Sequence, residues 1–329
     1  MQIMRSVRRL IPSIGPLHDH RNGLLRIAAK AYQTTRYIQA QTQGRLFVTD
    51  FAYHPKARQI ENTAGGRNLI SRLNAEEGRY ASVLRDFSDA FDLISKIALD
   101  PESENDAAPY WYNDWLPPVD GISIYGLLAT LKPRRYVEVG SGHSTRFARR
   151  AISDLNLATK IVSIDPKPRS EIDSICDEII RMPLEELPKD FWNEMSPEDL
   201  LFVDNSHRSL PNSDVTVFFL EVLPALPGGM VYGLHDIFLP YDYPEGWMPR
   251  YYNEQYLLQV YLNGGAAGDE IMAPMGWIWR RPNLRSLLSP IWQGNDRLLQ
   301  RVEFGGAGAF WMRRSLAPAV EGDQLRLRT

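Results

Sequence analysis

Apolar residues recur along one early stretch at helical spacing. Between Gly66 and Leu99 these are Leu69, Ile70, Leu73, Tyr80, Leu84, Phe87, Phe91 and Ile94, mostly at three- and four-residue steps. That spacing predicts an amphipathic helix with a stripe that must pack on something. The passage "PYWYNDWLPPVDG" follows. It is too irregular for a strand and too apolar for a loose linker, so it is expected to lie across the core or line a pocket. From Ile122 onward short β-rich runs alternate with helical segments. "RYVEVGS" leads to "STRFARRAISDL", "KIVSIDP" to "SEIDSICD" and the short strand "EIIRMP". "LEELPKDFWNEM" leads to "DLLFVDNSH", and "DVTVFFLEVLPAL" to "GGMVYGLHDIF". Strands alternating with crossover helices imply a parallel sheet covered on both faces, a doubly wound α/β core. "APMGWIWRR" and "GAGAFWMRR" read as two final strands forming an antiparallel edge, which brings the expected sheet to seven strands.

This pattern divides the chain into a mainly helical N-terminal extension, 1–115, a main domain, 116–315, and a tail, 316–329. One helix of the extension is expected over "GLLRIAAKAYQTTRYIQAQ". An aromatic insertion at about 239–268, containing "PYDYPEGWMPRYYNEQYLL", follows one strand end directly and reads as a lid or as interface packing.

Composition narrows the function classes. With 329 residues, 44% of them hydrophobic and 23% charged, the chain has the make-up of a globular protein. Its formal net charge of −3 offers no general attraction to nucleic acid or anionic lipid, so neither is an expected partner. No window approaches the roughly 18 apolar residues of a membrane span. Pro12 and Pro16 interrupt the basic, apolar start, so it does not read as an export signal. A single cysteine, Cys176, excludes an internal disulfide framework, and the expected location is cytoplasmic. Whether the chain is a homo-oligomer is not written in this pattern.

The first candidate site is a strand, the turn Gly140-Ser141-Gly142, and a helix whose expected cap is Ser144 or Thr145. Glycines let a ligand approach the backbone, and a helix start offers unpaired N–H groups. The next strand ends in Asp165, 25 positions beyond Gly140, an offset at which an acid commonly accepts hydrogen bonds from ribose hydroxyls. After Gly142 come His143, Ser144 and Thr145 with no third glycine, which disfavours a dinucleotide.

"EVGSGHST" with "SIDP" resembles the class I S-adenosylmethionine-dependent methyltransferases, whose fold is Rossmann-like. "FVDNSH" and "LPGGMVYGLHDIFLPYDYP" are similar to the bacterial branch that also holds cephalosporin-hydroxylase-like and catechol-methyltransferase-like proteins. The resemblance spans roughly Pro117 to Asp242. It implies S-adenosylmethionine as cofactor, with Gly140, Ser141 and Gly142 beside the methionine moiety and Glu138 close by. It also implies Ser144 at the helix start, Asp165 on the ribose, and adenine near Met182, Pro183 and the chain after Asp204.

A second site follows from two strand ends expected to be neighbours, which would bring Asp204, His207, His235 and Asp236 together as catalytic candidates. The catechol-methyltransferase-like relatives hold magnesium on an acid of the first strand and two adjacent oxygen ligands of the second. The matching positions are Asp204 and the pair His235-Asp236. That histidine is a departure, because imidazole with carboxylates also suits zinc, manganese or iron(II). Metal-free chemistry is the alternative, with His207 or His235 taking a hydroxyl proton. Three functions remain: O-methylation of a small-molecule or glycosyl hydroxyl, a hydroxylase-like metal enzyme, or a cofactor-binding scaffold without catalysis.

Overall fold

The computed structural model describes residues 51–316 apart from 102, 104–106 and 169–170, together with Thr35, Ile38, Gln39 and Thr42. The helix expected over 23–41 therefore falls largely outside the described residues. The chain divides into two compact units, Met1–His54 and Pro55–Thr329, and every element named below lies in the second.

The stretch from Gly66 onward is not one helix. It forms α1, Ala64–Ala75, and α2, Glu77–Asp86, broken at Glu76. Thr63 starts α1 by accepting the Gly66 N–H at 3.1 Å. The stripe is real: Leu69, Leu73, Tyr80, Leu84 and Phe87 are buried in the core shared with the sheet. Arg79 on α2 ties the pair to a sheet edge by donating to the Ile271 carbonyl and meeting Glu270 at 3.1 Å.

The run from Ile122, expected to open the β-rich region, instead belongs to helix α3, Pro118–Leu131, buried continuously from Pro118 to Leu128. A helix that is apolar on all sides shows no 3.6-residue contrast, so its pattern resembles a buried strand. Lys132 at φ 45° ends it, and Pro133 follows.

The sheet has seven strands: β1 Arg135–Val139, β2 Lys160–Ile164, β3 Glu178–Ile180, β4 Leu200–Val203, β5 Val231–Leu234, β6 Glu270–Pro274 and β7 Phe310–Arg313. Their order is β3-β2-β1-β4-β5-β7-β6. β1 to β5 pair in parallel, and β7 runs antiparallel to both its neighbours. The expected Rossmann-like α/β fold with an antiparallel edge is present, with the reversed strand one place in from that edge. Helix α4, His143–Asp154, crosses from β1 to β2. Between β2 and β3 the described residues hold only a 3-10 turn, Asp173–Ile175. After β4 comes α5, Asp214–Val217, continued by a π turn over Phe218–Val222.

"APMGWIWRR" is a correction. The strand lies earlier, at Glu270–Pro274, and Met275–Trp279 is a short buried helix, α6. A short apolar run reads alike in either state, and here Pro274 closes the strand.

Candidate active site

β1 is the strand from which the order runs outward in both directions, so the crevice opens between the carboxyl ends of β1 and β4. Gly140 and Asp204 follow those two strands. The Asp204 N–H donates to the Val139 carbonyl at 2.8 Å, and Gly140, at φ 79°, passes so close that an added Cβ would lie 1.8 Å from the Asp204 carbonyl oxygen. Only glycine fits this crossing.

On one side of the crevice the Asp165 carboxylate accepts the Ser141 N–H at 2.9 Å and the Lys167 N–H at 2.7 Å, tying the glycine turn to the end of β2. Ser141 Oγ shares a hydrogen bond with Ser163 Oγ at 2.8 Å. The helix cap is Gly142 rather than Ser144 or Thr145. Thr145 lies inside α4, where its Oγ1 accepts the Gly142 N–H at 2.9 Å and donates to Glu138. Glu138 and Ser144 lie beneath the turn, fully buried and off the cavity wall. Glu138 also accepts from Tyr136 Oη at 2.8 Å, and burial pushes its carboxyl up to about 7 despite these hydrogen bonds.

On the other side stands a chain of carboxylates and imidazoles. β4 and β5 pair in register, Val203 opposite Leu234, which sets their ends side by side. His235 Nδ1 is 3.1 Å from Asp204 Oδ1, and its Nε2 is 3.2 Å from Asp120 Oδ2. His207, at φ 58°, folds back over β4 so that its Nε2 also lies 3.1 Å from Asp204 Oδ1 and 3.4 Å from Asp236 Oδ2. Its Nδ1 is 2.9 Å from Glu254 Oε2. Each ring thus has a carboxylate at both of its nitrogens. Burial alone would lower the His207 pKa, but hydrogen bonds to Asp204 and Glu254 overcome it and raise it to about 10. His235 is likewise held well above the usual imidazole range against its burial, by the charges of Asp204 and Asp236. Burial would raise Asp204, yet the two imidazoles hold it well below the carboxylate range; in Asp236 and Glu254 burial prevails and the shift is upward.

Asp120 and Glu254 carry no signal of this kind in sequence order. Asp120 stands in the first turn of α3 and is wholly buried, accepting N–H groups from Gly308 at 2.9 Å and Ala309 at 2.9 Å. Glu254 begins the helix Glu254–Asn263 and accepts from Asn205 Nδ2 at 3.1 Å. A lone acid in the apolar run "PPVDGISIYGLL" is the one hint that could have pointed to Asp120.

One cavity of about 740 Å³ joins the two sides. Its wall includes Gly140, Ser141, Gly142, Asp165, Pro183, Asp204, His207, His235 and Asp236, so most of the expected residues converge; Met182 is not on it. The passage expected to line a pocket supplies Asp114 to Pro117, and the aromatic insertion supplies Trp247, Arg250 and Tyr252. The Arg250 guanidinium stacks 3.9 Å from the Trp247 ring centre, and Tyr252 packs 4.7 Å from the His207 ring. The insertion is anchored by the Asn253 N–H, which donates to the His207 carbonyl at 2.9 Å.

Residues 137–237 match the family model of a methyltransferase domain. The matched segment runs from β1 past the end of β5 and contains the glycine turn, Asp165, Asp204, His207, His235 and Asp236. Asp120 and Glu254 fall outside it. No curated protein matches the chain. Among solved structures, the mycolic acid cyclopropane synthase CmaA1 complexed with SAH and CTAB aligns at 13% identity and a TM-score of 0.33, covering 71% of this chain and 98% of that one. A likeness of that degree gives no residue of this chain a role. Among the described residues no helix is long and apolar enough to cross a membrane.

Proposed function

We propose that the protein is an S-adenosylmethionine-dependent methyltransferase acting on a hydroxyl of a small-molecule or glycosyl acceptor. The observation that carries this reading is the single cavity joining the Gly140–Gly142 turn and Asp165 to the Asp204, His207, His235 and Asp236 cluster. The methyltransferase-domain match over the same segment supports it. S-adenosylmethionine, when bound, supplies an already activated methyl group, so the protein's task is positioning and proton removal.

The backbone at Gly140 to Gly142 receives the methionine end, and Asp165, already fixed by two backbone N–H groups, turns its remaining lone pairs to the ribose. Pro183 borders the adenine side. Asp204 and Asp236 are the carboxylates of the cluster that reach the cavity wall, whereas Asp120 and Glu254 are closed off behind the imidazoles. The acceptor hydroxyl stands against Asp204 and Asp236; Asp236, whose carboxyl burial shifts upward, takes up its proton, while Asp204, kept ionised by His207 and His235, orients it. Trp247 and Tyr252 give the acceptor an aromatic wall and exclude water. A cytoplasmic location accords with the single cysteine.

Isothermal titration with S-adenosylmethionine and S-adenosylhomocysteine tests the reading directly. Stoichiometric binding of both is expected, and absence of binding by either refutes it.

A further inference from the structure

The resemblance left magnesium or a softer ion open at Asp204, His235 and Asp236, and the donors at this place do not fit magnesium. Magnesium requires an oxygen shell and gives up its waters reluctantly. Here the atoms that converge include two ring nitrogens: ligand atoms of Asp204, His207 and His235 all lie within 4.8 Å of one another.

Their outer contacts bear on the same point. A histidine that ligates a metal through one nitrogen usually gives its other N–H to a carboxylate or carbonyl, which fixes tautomer and ring orientation. Both rings have that arrangement. His235 turns Nε2 to Asp120 and leaves Nδ1 inward, while His207 turns Nδ1 to Glu254 and leaves Nε2 inward. Both outer carboxylates are fully buried and fixed, Asp120 by the Gly308 and Ala309 N–H groups and Glu254 by Asn205. The backbone at His207 adopts a left-handed conformation, uncommon outside glycine, that directs its ring over the strand end.

We propose that His207 Nε2, His235 Nδ1 and an Asp204 carboxylate oxygen form a site for a divalent first-row transition ion such as zinc, cobalt or iron(II), with Asp120 and Glu254 as positioning residues for the two imidazoles. This site stands on the cluster's own geometry and does not depend on methyl transfer. Two nitrogens and one or more carboxylate oxygens suit such ions far better than magnesium.

The test uses the full chain stripped of metal by a chelator and titrated separately with cobalt(II), zinc and magnesium. One equivalent of cobalt or zinc is expected to bind at least about 100-fold more tightly than magnesium. Ligand-field absorption of the cobalt form and nitrogen couplings in the pulsed electron paramagnetic resonance of the copper(II) form should report two imidazole nitrogens. His207→Gln removes one of those couplings. Asp120→Asn and Glu254→Gln each weaken cobalt affinity by roughly 10- to 100-fold, as loss of an outer carboxylate typically does, and leave S-adenosylhomocysteine binding unchanged. Magnesium binding as tight as cobalt, or a bound ion without nitrogen coupling, overturns the proposal. So does failure to take up any ion by protein that still binds S-adenosylhomocysteine, which would leave an ion-paired cluster only. S-adenosylhomocysteine binding is read before metal is added, so its loss speaks against the methyltransferase reading and not against this site.

Discussion

Replacing Gly140 by alanine probes the point where the two halves of the cavity meet. An added Cβ would lie 1.8 Å from the Asp204 carbonyl oxygen and 2.8 Å from its carbon. Both are backbone atoms, so no side chain can rotate away. Relief requires the ends of β1 and β4 to separate by more than an ångström, against the 2.8 Å hydrogen bond from the Asp204 N–H to Val139. The positive φ of 79° adds strain that glycine does not feel. Left-handed strain of about 1–2 kcal/mol and overpacking of about 1–3 kcal/mol together predict a loss of roughly 2–5 kcal/mol. For a domain of this size that lowers Tm by roughly 5–15 °C. Displacing the turn by an ångström should also weaken S-adenosylhomocysteine binding by about 10- to 100-fold. Calorimetric melting and titration on one preparation measure both. Gly246→Ala is the control, since nothing lies within 4 Å of an added Cβ there, and it should stay within about 0.5 kcal/mol of the parent. If Gly140→Ala melts with the control and binds S-adenosylhomocysteine like the parent, the close crossing of β1 and β4 has been misread.

Asp165→Ala removes a carboxylate proposed for the ribose and should weaken S-adenosylhomocysteine by roughly 10- to 100-fold, equivalent to about 1.5–3 kcal/mol for hydrogen bonds to a charged group, as titration will show. Asp236→Asn should lower kcat by about 10²- to 10⁴-fold with cofactor affinity retained. Parallel losses of binding and turnover in Asp165→Ala and Asp236→Asn would mean that the cavity has no separate cofactor and acceptor sides. Glu138 offers a pH test. Burial raises its carboxyl from 4.5 to about 7, so the fold prefers the protonated acid. The stability it contributes is full below pH 4.5 and is lost as pH climbs through 7, by about 3 kcal/mol. Denaturant titrations across that window should show the limb in the parent and a flatter one in Glu138→Gln; equal slopes would contradict the assignment.

Local chemistry made half of the cavity legible from the order of residues. The Gly140–Gly142 turn, Asp165, Asp204 and the His235-Asp236 pair stand at the ends of short apolar strands, and a polar residue at such an end is visible within a few positions. Parallel pairing then dictates that those ends share one edge of the sheet. The wall role of "DWLP" was legible for a similar reason, as an apolar passage with no regular period. Three features were not. α3 was hidden because a helix buried on all sides loses its periodic contrast, and α6 because a short apolar run after a strand reads as more strand. The outer carboxylates were hidden most deeply. Asp120 lies 115 positions from His235 and Glu254 lies 47 from His207. Their meeting depends on α3 entering the core beside the segment before β7, and on the insertion folding back over the end of β4. The sequence by itself therefore determined the five parallel strands and β7, the glycine turn and the inner acids. Only the tertiary structure decided that both imidazoles are held between carboxylates, because the fold alone brings together groups so far apart along the chain.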